Sequence, residues 1–420
     1  MKYGICTLDD FDVKGKTVLC RVDINQPIDH KTGELKDVTR IKGCIPTIRE
    51  LSEKGAKTVL LAHQGGDLEY KNYYTTEPHA RVISQFLGKE VGFIDDVVGP
   101  AARERIRGLS EGEILLLDNV RFVAEEMTLF ETKLNLTEEQ QSKTLVVRKL
   151  APLADLYVCD AFAAAHRSQP TLVGFEQVLP SAMGRLFEEE FSVISGVMEN
   201  PKRPCVFILG GAKIEDAFLM MRTVLKNGAA DSVITGGLVS QIMFMAKGID
   251  IGRKSAEFIH KKGLTEYISI AKGILDEFED RIKLPIDFAY VDNKRQETDV
   301  AGIPQDSLIA DIGHETVELY KKVIDEARTV FINGPMGIFE EDASEYGTRS
   351  IWTAVANSKA YSVLGGGDSI TAVNKYNLDK DLSYICTGGG ALVRFLSGEE
   401  LPVVRALRHA AQKFGPDLAS

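Results

Sequence analysis

The stretch YSVLGGGDSITAV (361–373) contains the pattern that decides the fold: a short apolar run, a glycine turn and the start of a helix. Apolar runs of four to seven residues recur along the chain and alternate with longer stretches of helical period. This alternation predicts βαβ units, and therefore parallel sheets covered by helices on both faces. The predicted fold class is α/β, with two doubly wound parallel-sheet (Rossmann-like) domains joined by a hinge helix.

Two series of apolar runs predict the strands. The first series is TVLCRVD (17–23), KTVLLAH (57–63), EVGFIDD (90–96), EILLLDN (113–119), DLYVCDA (155–161) and TLVGFE (171–176). The second series is PCVFILGG (204–211), DSVITGG (231–237), IDFAYVD (286–292), TVFINGP (329–335), YSVLGGG (361–367) and LSYICTGGG (382–390). Between them, apolar residues at helical spacing predict one long helix over 181–201. From periodicity alone it could equally be a core helix, but the strand-end chemistry changes across it, which favours a connector.

Composition excludes several classes of protein. The chain has 420 residues, more than one ordinary core organises, so two domains are expected. A net charge of -11 argues against general nucleic-acid binding, although a local basic pocket remains possible. No apolar run approaches the ~20 residues of a membrane span, and the N-terminus does not resemble a signal peptide. Six cysteines without a CxxC pair predict buried thiols in a reducing cytoplasm rather than a metal site.

Basic residues follow the predicted strands of the first half, where the ligands of open α/β sheets bind. Arginine suits an anionic ligand because its planar fork binds carboxylate and phosphate through two hydrogen bonds. A single arginine is more often an ordinary surface residue, but regular placement of a set favours a site for a multiply charged anion. The set comprises Arg21, Arg40, His63, Arg121 and Arg167.

Glycines follow the predicted strands of the second half. They form the loops GGAK (210–213), GG (236–237), NGPMG (333–337), GGGDS (365–369) and TGGG (387–390). Glycine lets backbone N–H groups approach phosphate closely, and a following helix N-terminus adds partial positive charge. One such loop is weak support, because glycine also ends strands for steric reasons, but five in one domain predict phosphate binding. The residues alone therefore predict a two-domain protein that carries phosphate between two unlike sites.

Two common nucleotide motifs are missing. The sequence has no G-x-x-x-x-G-K-[ST] motif. The best G-x-G-x-x-G candidates fail at their sixth residues, Ile370 and Val393. This disfavours a nicotinamide-dependent dehydrogenase, the main alternative from another enzyme class. A second alternative, a non-catalytic nucleotide-binding or assembly protein, is not excluded by fold.

Motifs along nearly the whole chain, in family order, resemble those of phosphoglycerate kinase. In the first half they are RVDINQP (21–27), DVTRI (37–41), LLAHQG (60–65), LLLDNVRFVAEE (115–126) and DAFAAAHR (160–167). In the second half they are ILGGAKIED (208–216), DIGHETVELY (311–320), INGPMGIFE (332–340), LGGGDSITAV (364–373) and CTGGGALVRFL (386–396). The segment AHQGGDLEYKNY resembles the archaeal-type branch in particular. The resemblance implies reversible, Mg²⁺-dependent phosphoryl transfer from 1,3-bisphosphoglycerate to ADP, giving 3-phosphoglycerate and ATP.

The same resemblance implies the site residues. The expected substrate-binding residues are Asp23, Asn25, Arg40, His63, Gln64, Gly65, Gly66, Arg121 and Arg167. The expected nucleotide-binding residues are Gly211, Ala212, Lys213, Gly236, Gly237, Gly313, Asn333, Pro335, Glu340, Gly366, Gly367, Asp368 and Ser369. Asp368 is also expected to bear on the Mg²⁺ of the nucleotide. The expected catalytic groups are Arg40, Lys213, Gly367 and Gly390.

The resemblance also implies an organisation. It predicts a substrate domain of residues 1–180 with 402–420, a connecting helix of 181–201, and a nucleotide domain of 202–401 that closes on the first through the hinge. The expected protein is a cytoplasmic monomer that acts on small molecules. Three positions depart from the family pattern. Gly66 replaces an arginine, Ala217 replaces a lysine and Ser369 replaces a threonine, so affinities rather than the reaction are in doubt.

Overall fold

The structure is a computed structural model that describes residues 1–65 and 73–415. Its internal contacts divide the chain into two compact units. One unit consists of Met1–Ser192 with Glu400–Ser420, and the other is Val193–Glu399. They are called the first and second unit below. Each unit has a parallel sheet with its own hydrophobic core.

Six strands form the sheet of the first unit. They are β1 (Thr17–Arg21), β2 (Lys57–Leu61), β3 (Gly92–Ile94), β4 (Ile114–Leu117), β5 (Leu156–Cys159) and β6 (Ser181–Met183). All neighbours pair in parallel, in the order β3-β4-β2-β1-β5-β6. Nearly every residue of β1, β2, β4, β5 and β6 is buried, because helices and loops cover both faces.

Helices surround this sheet. They are α1 (Thr39–Glu53), α2 (Glu77–Leu87), α3 (Pro100–Arg107), α4 (Thr128–Leu134), α5 (Glu138–Gln141), α6 (Leu145–Leu150), α7 (Pro170–Val173) and α17 (Pro402–Phe414). Helix α8 (Arg185–Glu199) begins in the first unit and ends in the second. On one face, Ile41 and Ile48 of α1 share a core with Val18 and Cys20 of β1. Helix α17 packs against β6 and α7, and it buries Leu407 completely.

The second unit contains two sheets. Its strands are β7 (Cys205–Leu209), β8 (Ser232–Thr235), β9 (Ile282–Lys283), β10 (Asp287–Asp292), β11 (Lys294–Asp299), β12 (Ile309–Ile312), β13 (Thr329–Asn333), β14 (Tyr361–Gly365) and β15 (Tyr384–Cys386). The parallel sheet has the order β9-β8-β7-β13-β14-β15, which is the strand order of dinucleotide-binding folds. Strands β11, β10 and β12 form a separate antiparallel sheet.

The helices of the second unit follow its strands. They are α9 (Ile214–Lys226), α10 (Gly237–Ala246), α11 (Arg253–Lys261), α12 (Tyr267–Phe278), α13 (His314–Glu326), α14 (Tyr346–Asn357), α15 (Gly367–Lys375) and α16 (Gly389–Leu396). One core packs Tyr320 of α13 and Trp352 of α14 against Ile208 and Ile332 of the sheet. The predicted α/β class with two parallel sheets is confirmed. No helix in the part of the chain that the structure describes could cross a membrane.

Three predictions about elements are wrong. Residues 171–176 lie in α7 and a following 3₁₀ turn rather than in a strand, because Pro170 occupies the first turn of a helix and Glu126 binds the amide and hydroxyl of Thr171. The run 286–292 forms β10 of the antiparallel sheet, so the short β9 completes the parallel sheet instead. Residues 181–183 form strand β6, and the connecting helix begins only at Arg185.

The start of α8 is fixed by Asp160, which follows β5. Its Oδ1 accepts hydrogen bonds from the amides of Leu186 and Phe187, at 2.9 and 3.2 Å. Gly184 lies against the same carboxylate, where a Cβ would come within 2.2 Å of Oδ1. A side chain at this position is therefore excluded. The backbone leaves β6 and turns into α8 within this single residue.

Candidate active site

In the first unit, the predicted substrate residues lie beyond the carboxyl ends of adjacent strands. Asp23 follows β1, His63 follows β2, Arg121 follows β4 and Arg167 follows β5. Since all these strands are parallel, the residues come to one edge of the sheet. The chain passes from β1 to β2 on one side and later returns to β5 on the other, which is the arrangement that creates a ligand crevice.

Arg40, in the first turn of α1, forms an ion pair with Asp23. Its Nη1 donates to Asp23 Oδ2 at 2.6 Å. Asp23 is buried, whereas the Arg40 side chain is 41% exposed and can still reach a ligand. The structure therefore brings together a predicted catalytic cation and a predicted substrate acceptor. The other carboxylate oxygen of Asp23 accepts a hydrogen bond from the amide of Asn25 at 3.2 Å.

Gln64 and Gly65 lie in a loop that is held by hydrogen bonds to neighbouring residues. The Gln64 side chain accepts from the amide of Gln26 at 3.0 Å and from His79 at 2.9 Å, and it donates to the Gln26 carbonyl at 2.8 Å. The amide of Gly65 donates to Asn25 Oδ1 at 3.0 Å. Gln64 thus shapes the loop with its buried side chain. The predicted residue Gly66 lies outside the described residues.

Arg121 and Arg167 complete the basic edge. Arg121 is buried, and its Nη1 donates to the carbonyl of Gly65. Arg167 is half-buried, and its Nη1 donates to Thr128 Oγ1 at 3.0 Å. Thr128 begins α4. Both arginines are therefore held by described groups around the anion site rather than extended freely into solvent.

His63 lies where the basic residues converge. Its Nδ1 contacts Arg21 Nη2 at 3.1 Å, and both side chains are almost fully buried. Burial lowers the pKa of His63 well below its ordinary value. The positive charges of four arginines add to this effect, in the order Arg21, Arg121, Arg167 and Arg40. His63 is therefore neutral at physiological pH, and the positive charge of the site comes from the arginines.

In the second unit, the strand order reverses between β7 and β13, which is where ligands of this topology bind. A narrow cleft lies at this point, at the carboxyl ends of β7, β13 and β14. It is lined by Gly210, Gly211, Ala212, Lys213, Asn333, Gly334, Gly366, Gly367, Asp368 and Ser369. Eight of these ten residues were predicted from the sequence as nucleotide-binding.

A larger cavity of about 370 Å³ shares Gly211, Ala212 and Asp368 with the cleft. Its remaining lining residues are Gly237, Leu238, Gln241, Phe258, Phe288, Leu308, Ile309, Ala310, Asp311, Pro335, Met336, Gly337, Ile338, Phe339 and Glu340. An apolar cavity of a few hundred Å³ with a few polar groups is typical of small-molecule sites. Its volume is sufficient for a small organic ligand.

The glycines of the turns after β7 and β8 are required by close backbone packing. A Cβ on Gly237, which has φ of +53°, would lie 2.7 Å from the nitrogen of Gly211. A Cβ on Gly236 would come within 2.9 Å of the Met336 Cα. The amide of Gly211 donates to the Pro335 carbonyl at 2.7 Å, and that of Gly237 to the Met336 carbonyl at 2.8 Å. The turns after β7, β8 and β13 therefore lock together.

Asp368 and Ser369 lie in the first turn of α15, but Ser369 is buried and Asp368 is exposed. The buried Ser369 hydroxyl accepts a hydrogen bond from the amide of Gly334 at 2.7 Å, so it holds one loop against another. Asp368 is exposed and lines both spaces. Within residues 1–65 and 73–415, no group of three or more His, Cys, Asp or Glu residues could hold a metal ion.

Three predicted residues, Gly236, Gly313 and Gly390, line neither the cleft nor the larger cavity. Gly313 precedes α13, where a Cβ would meet the Asp287 carboxylate at 2.1 Å, and it lines neither the cleft nor the cavity. Ile309 and Ala310, just before it, line the cavity instead. Gly390 is exposed in the first turn of α16 and also lines neither space.

The comparisons with known proteins identify the family. The family model described as phosphoglycerate kinase matches residues 8–399. The chain belongs to the phosphoglycerate kinase family. It is 47% identical over 412 residues to the phosphoglycerate kinase of Methanothermobacter thermautotrophicus, covering 98% of each chain. The predicted resemblance to archaeal members is confirmed, since another similar relative, 44% identical over 97% of this chain and 98% of its own, comes from Thermococcus kodakarensis.

Solved phosphoglycerate kinase structures share the fold. That from Pyrococcus horikoshii has a TM-score of 0.86 and 43% identity, covering 98% of this chain and 100% of its own. That from Coxiella burnetii has a TM-score of 0.81 at 29% identity, covering 96% and 98%. The similarity extends across both units, in agreement with membership of the family.

Several residues of the site were not predicted. Glu126 and Thr171 are fully buried, and the Thr171 hydroxyl donates to Glu126 and accepts from Arg21 Nε. The side chain of Asn119 holds the Gln64 loop by hydrogen bonds to the amide and carbonyl of Gln64. All three lie in or next to motifs that define the family, but a short polar residue in a loop gives no sequence signal of what it contacts. The apolar wall of the larger cavity was also missed. Its members are far apart in sequence and resemble ordinary core residues.

Proposed function

We propose that this phosphoglycerate kinase transfers a phosphoryl group reversibly from 1,3-bisphosphoglycerate to ADP, giving 3-phosphoglycerate and ATP, with Mg²⁺ bound to the nucleotide. The observation that carries the substrate assignment is the convergence of Arg21, Arg40, Arg121 and Arg167 on His63 at one sheet edge. Such a cluster in a protein of net charge -11 suits a small ligand with several negative charges. We assign this ligand to the first unit.

We assign the nucleotide to the cleft and cavity of the second unit. The glycine loops allow backbone N–H groups to approach the phosphates, and the N-terminus of α15 adds favourable partial charge. The apolar cavity suits a purine, and Glu340 at its edge is the candidate acceptor for the ribose hydroxyls. Lys213, at the cleft, is the candidate cation for the phosphate chain.

Asp368 fits the role proposed for it with Mg²⁺. Magnesium in phosphoryl-transfer enzymes is held by one or two carboxylates together with substrate phosphates, and it keeps several waters. A single exposed carboxylate beside a phosphate cleft is such a ligand, directly or through water. Bound there, the ion would neutralise charge on the nucleotide phosphates.

The chemistry needs little from the protein beyond position and charge. A β-phosphate oxygen of ADP forms a bond to the transferring phosphorus, while the bond from phosphorus to the acyl oxygen breaks and leaves a carboxylate. The attacking and leaving oxygens are both anionic, so no general base is needed. Arg40 on the substrate side and Lys213 on the nucleotide side are the groups we propose to stabilise charge on the transferring group.

A coupled assay tests the proposal directly. Purified protein with 1,3-bisphosphoglycerate, ADP and Mg²⁺ is expected to form ATP, and the amount formed is expected to fall when Mg²⁺ is chelated. Zero turnover by folded protein would contradict the kinase assignment and favour a non-catalytic role. We further propose that the enzyme is a cytoplasmic monomer, in agreement with its six buried cysteines.

A further inference from the structure

A line of four hydrogen-bonded side chains lies beneath the substrate site. Glu126 Oε2 accepts from the Thr171 hydroxyl at 2.9 Å, and Glu126 Oε1 accepts from the Thr171 amide at 2.6 Å. Arg21 Nε donates to the same hydroxyl at 3.0 Å, and Arg21 Nη2 meets His63 Nδ1 at 3.1 Å. Exposure is 0% for Glu126 and Thr171, 1% for Arg21 and 7% for His63. Water therefore has little access to any of these bonds.

The direction of each bond follows from the chemistry of the groups. A guanidinium has only donors, so His63 Nδ1 must be the acceptor from Arg21. Neutral imidazole carries one proton, so that proton must be on Nε2. The Thr171 oxygen likewise accepts from Arg21 and gives its own proton to Glu126. With Glu126 ionised, every group in the line has one role, and reversing one bond would leave two donors or two acceptors facing each other.

We propose that Glu126, acting through Thr171 and Arg21, is a positioning residue that holds His63 in the neutral tautomer with the proton on Nε2. This rests on the proposed substrate site. With Nδ1 engaged, Nε2–H is the remaining donor of the ring, and an anionic ligand needs donors. In the opposite tautomer, the lone pair on Nε2 would repel the same ligand. The tautomer therefore decides whether His63 favours or opposes binding.

The charges around His63 keep its ring neutral but do not select one of the two tautomers. The groups acting on His63 are four arginines, which disfavour a doubly protonated, positive ring. A neutral ring is free to adopt either tautomer unless a fixed neighbour selects one. Arg21 can make that selection only while it is itself held. Its Nη1 is held by the carbonyl of Val22, at 2.7 Å, and its Nε by Thr171.

The test compares variants within the line. Thr171→Val removes the hydroxyl but keeps the shape, Thr171→Ser keeps the hydroxyl, and Glu126→Gln replaces the carboxyl group by an amide. Glu176→Gln is the matched control, because Glu176 is an equally buried glutamate of the same unit outside this line. Long-range ¹H–¹⁵N correlation spectra of ¹⁵N-histidine-labelled protein report the tautomer of His63 without any ligand, and a His63→Asn spectrum assigns its signals.

We expect the parent, Thr171→Ser and Glu176→Gln to show the proton on Nε2. Thr171→Val and Glu126→Gln are expected to show a mixture of tautomers. Their KM for 3-phosphoglycerate should rise about tenfold, the equivalent of one lost hydrogen bond, with the KM for ATP within about twofold of the parent. If Glu126→Gln does not fold, the Thr171→Val and Thr171→Ser pair decides the question.

Two results would overturn the inference. One is a parent protein with the His63 proton on Nδ1, and the other is a Thr171→Val variant that keeps both the parent tautomer and the parent KM. Failure of the proposed function would look different. A parent protein with no turnover and no binding of 3-phosphoglycerate would leave the ligand-free spectra as an independent measure of the line itself.

Discussion

Arg40 and Lys213 are the two residues whose removal should affect the rate most. If each stabilises charge that develops on the transferring group, Arg40→Ala and Lys213→Ala should each cost about 2–4 kcal/mol of transition-state stabilisation. In steady-state assays kcat should therefore fall by roughly 30- to 1,000-fold, since each 1.4 kcal/mol corresponds to a factor of ten.

Matched controls exist on the same helices. Arg49 of α1 binds the carbonyls of Phe86 and Leu87, and Lys226 lies at the far end of α9. Arg49→Ala and Lys226→Ala should leave kcat within about threefold of the parent, because neither lies at a strand end. A parent-like rate for Arg40→Ala or Lys213→Ala would refute the role assigned to that residue.

A methyl group at Gly337 should weaken nucleotide binding and leave substrate binding unchanged. A Cβ there would lie 2.4 Å from the Ala310 carbonyl oxygen, and Gly337 lines the larger cavity. Gly337→Ala should destabilise the second unit by about 1–3 kcal/mol through overpacking and weaken ADP binding at least tenfold. Calorimetric titration with each ligand measures this. Binding of 3-phosphoglycerate should stay within about twofold.

Gly273 provides the comparison, since a Cβ on this residue of α12 would meet nothing within 4 Å. Gly273→Ala should be neutral or slightly stabilising, because alanine has the higher helix propensity. Equal ADP affinity in Gly337→Ala and the parent would mean that the nucleotide does not enter the larger cavity.

Residue types at the strand ends predict a chemistry for the site but not how its loops are held. Arginines and glycines there predict an anion site and a phosphate site, because these residue types bind such ligands directly. The inward-facing Gln64, and Gly313 packed against Asp287, could not be recognised this way. A side chain that shapes a loop and one that faces a ligand give the same sequence signal.

Among the elements, α17 contributes to the core of the first unit. It buries Val403, Val404, Ala406, Leu407 and Ala410, and it packs against α7 and β6. Leu407 is fully buried, so Leu407→Ala should lower the free energy of unfolding of the first unit by about 2–5 kcal/mol. Urea unfolding followed by circular dichroism measures the loss.

Arg405→Ala on the same helix is the control, because its side chain is 51% exposed and its ion pair with Glu138 lies at the surface. Exposed pairs contribute only about 0–1 kcal/mol. Similar unfolding midpoints for Leu407→Ala and Arg405→Ala would show that α17 does not belong to the cooperative core.

Stability should depend on pH through Asp160, the buried carboxyl that accepts hydrogen bonds from the first amides of α8. Burial raises the pKa of this carboxyl to about 7, from an ordinary value near 3.8. Between these values the folded protein keeps a proton that the unfolded chain releases, so stability falls as pH rises through this window and levels off above about 7. Between pH 5 and pH 8 the contribution is at most about 2–3 kcal/mol.

The comparison of the parent with Asp160→Asn isolates this group, because every other titrating group is present in both proteins. The parent should gain free energy of unfolding relative to Asp160→Asn on going from pH 8 to pH 5, measured by urea unfolding. The asparagine keeps a carbonyl oxygen for the amides of α8. Parallel pH curves for the two proteins would contradict a proton on Asp160.

Among the elements, the sequence predicted the long buried strands but not the helical turn at 171–176 or the polar strand β11. The apolar runs of β1, β2, β7 and β13 are unambiguous because both faces of a parallel strand are buried. The run 171–176 is equally apolar, but Pro170 and the hydrogen bonds that Glu126 accepts from Thr171 favour a helical turn. The polar strand β11 has no apolar pattern, so its pairing with β10 could be found only in the structure.

For the whole molecule, the assignment of one ligand to each unit predicts where ligands protect the backbone from hydrogen exchange. Saturating 3-phosphoglycerate should protect most strongly the amides of the first unit, and Mg²⁺-ADP those of the second. A ligand at 100 times its Kd stabilises the form it binds by about 2.7 kcal/mol, so fully buried amides should exchange about 100-fold more slowly. Strongest protection of second-unit amides by 3-phosphoglycerate would overturn the assignment.

The place of α17 in the first unit has a consequence for protein synthesis. The ribosome makes residues 402–414 after every residue of the second unit, yet these late residues fill the core of the unit that was begun first. During synthesis, the apolar surface of the first unit that packs against Leu407 therefore stays uncovered until α17 has been made. By then all strands of the second unit have been made. The half translated first is the half completed last.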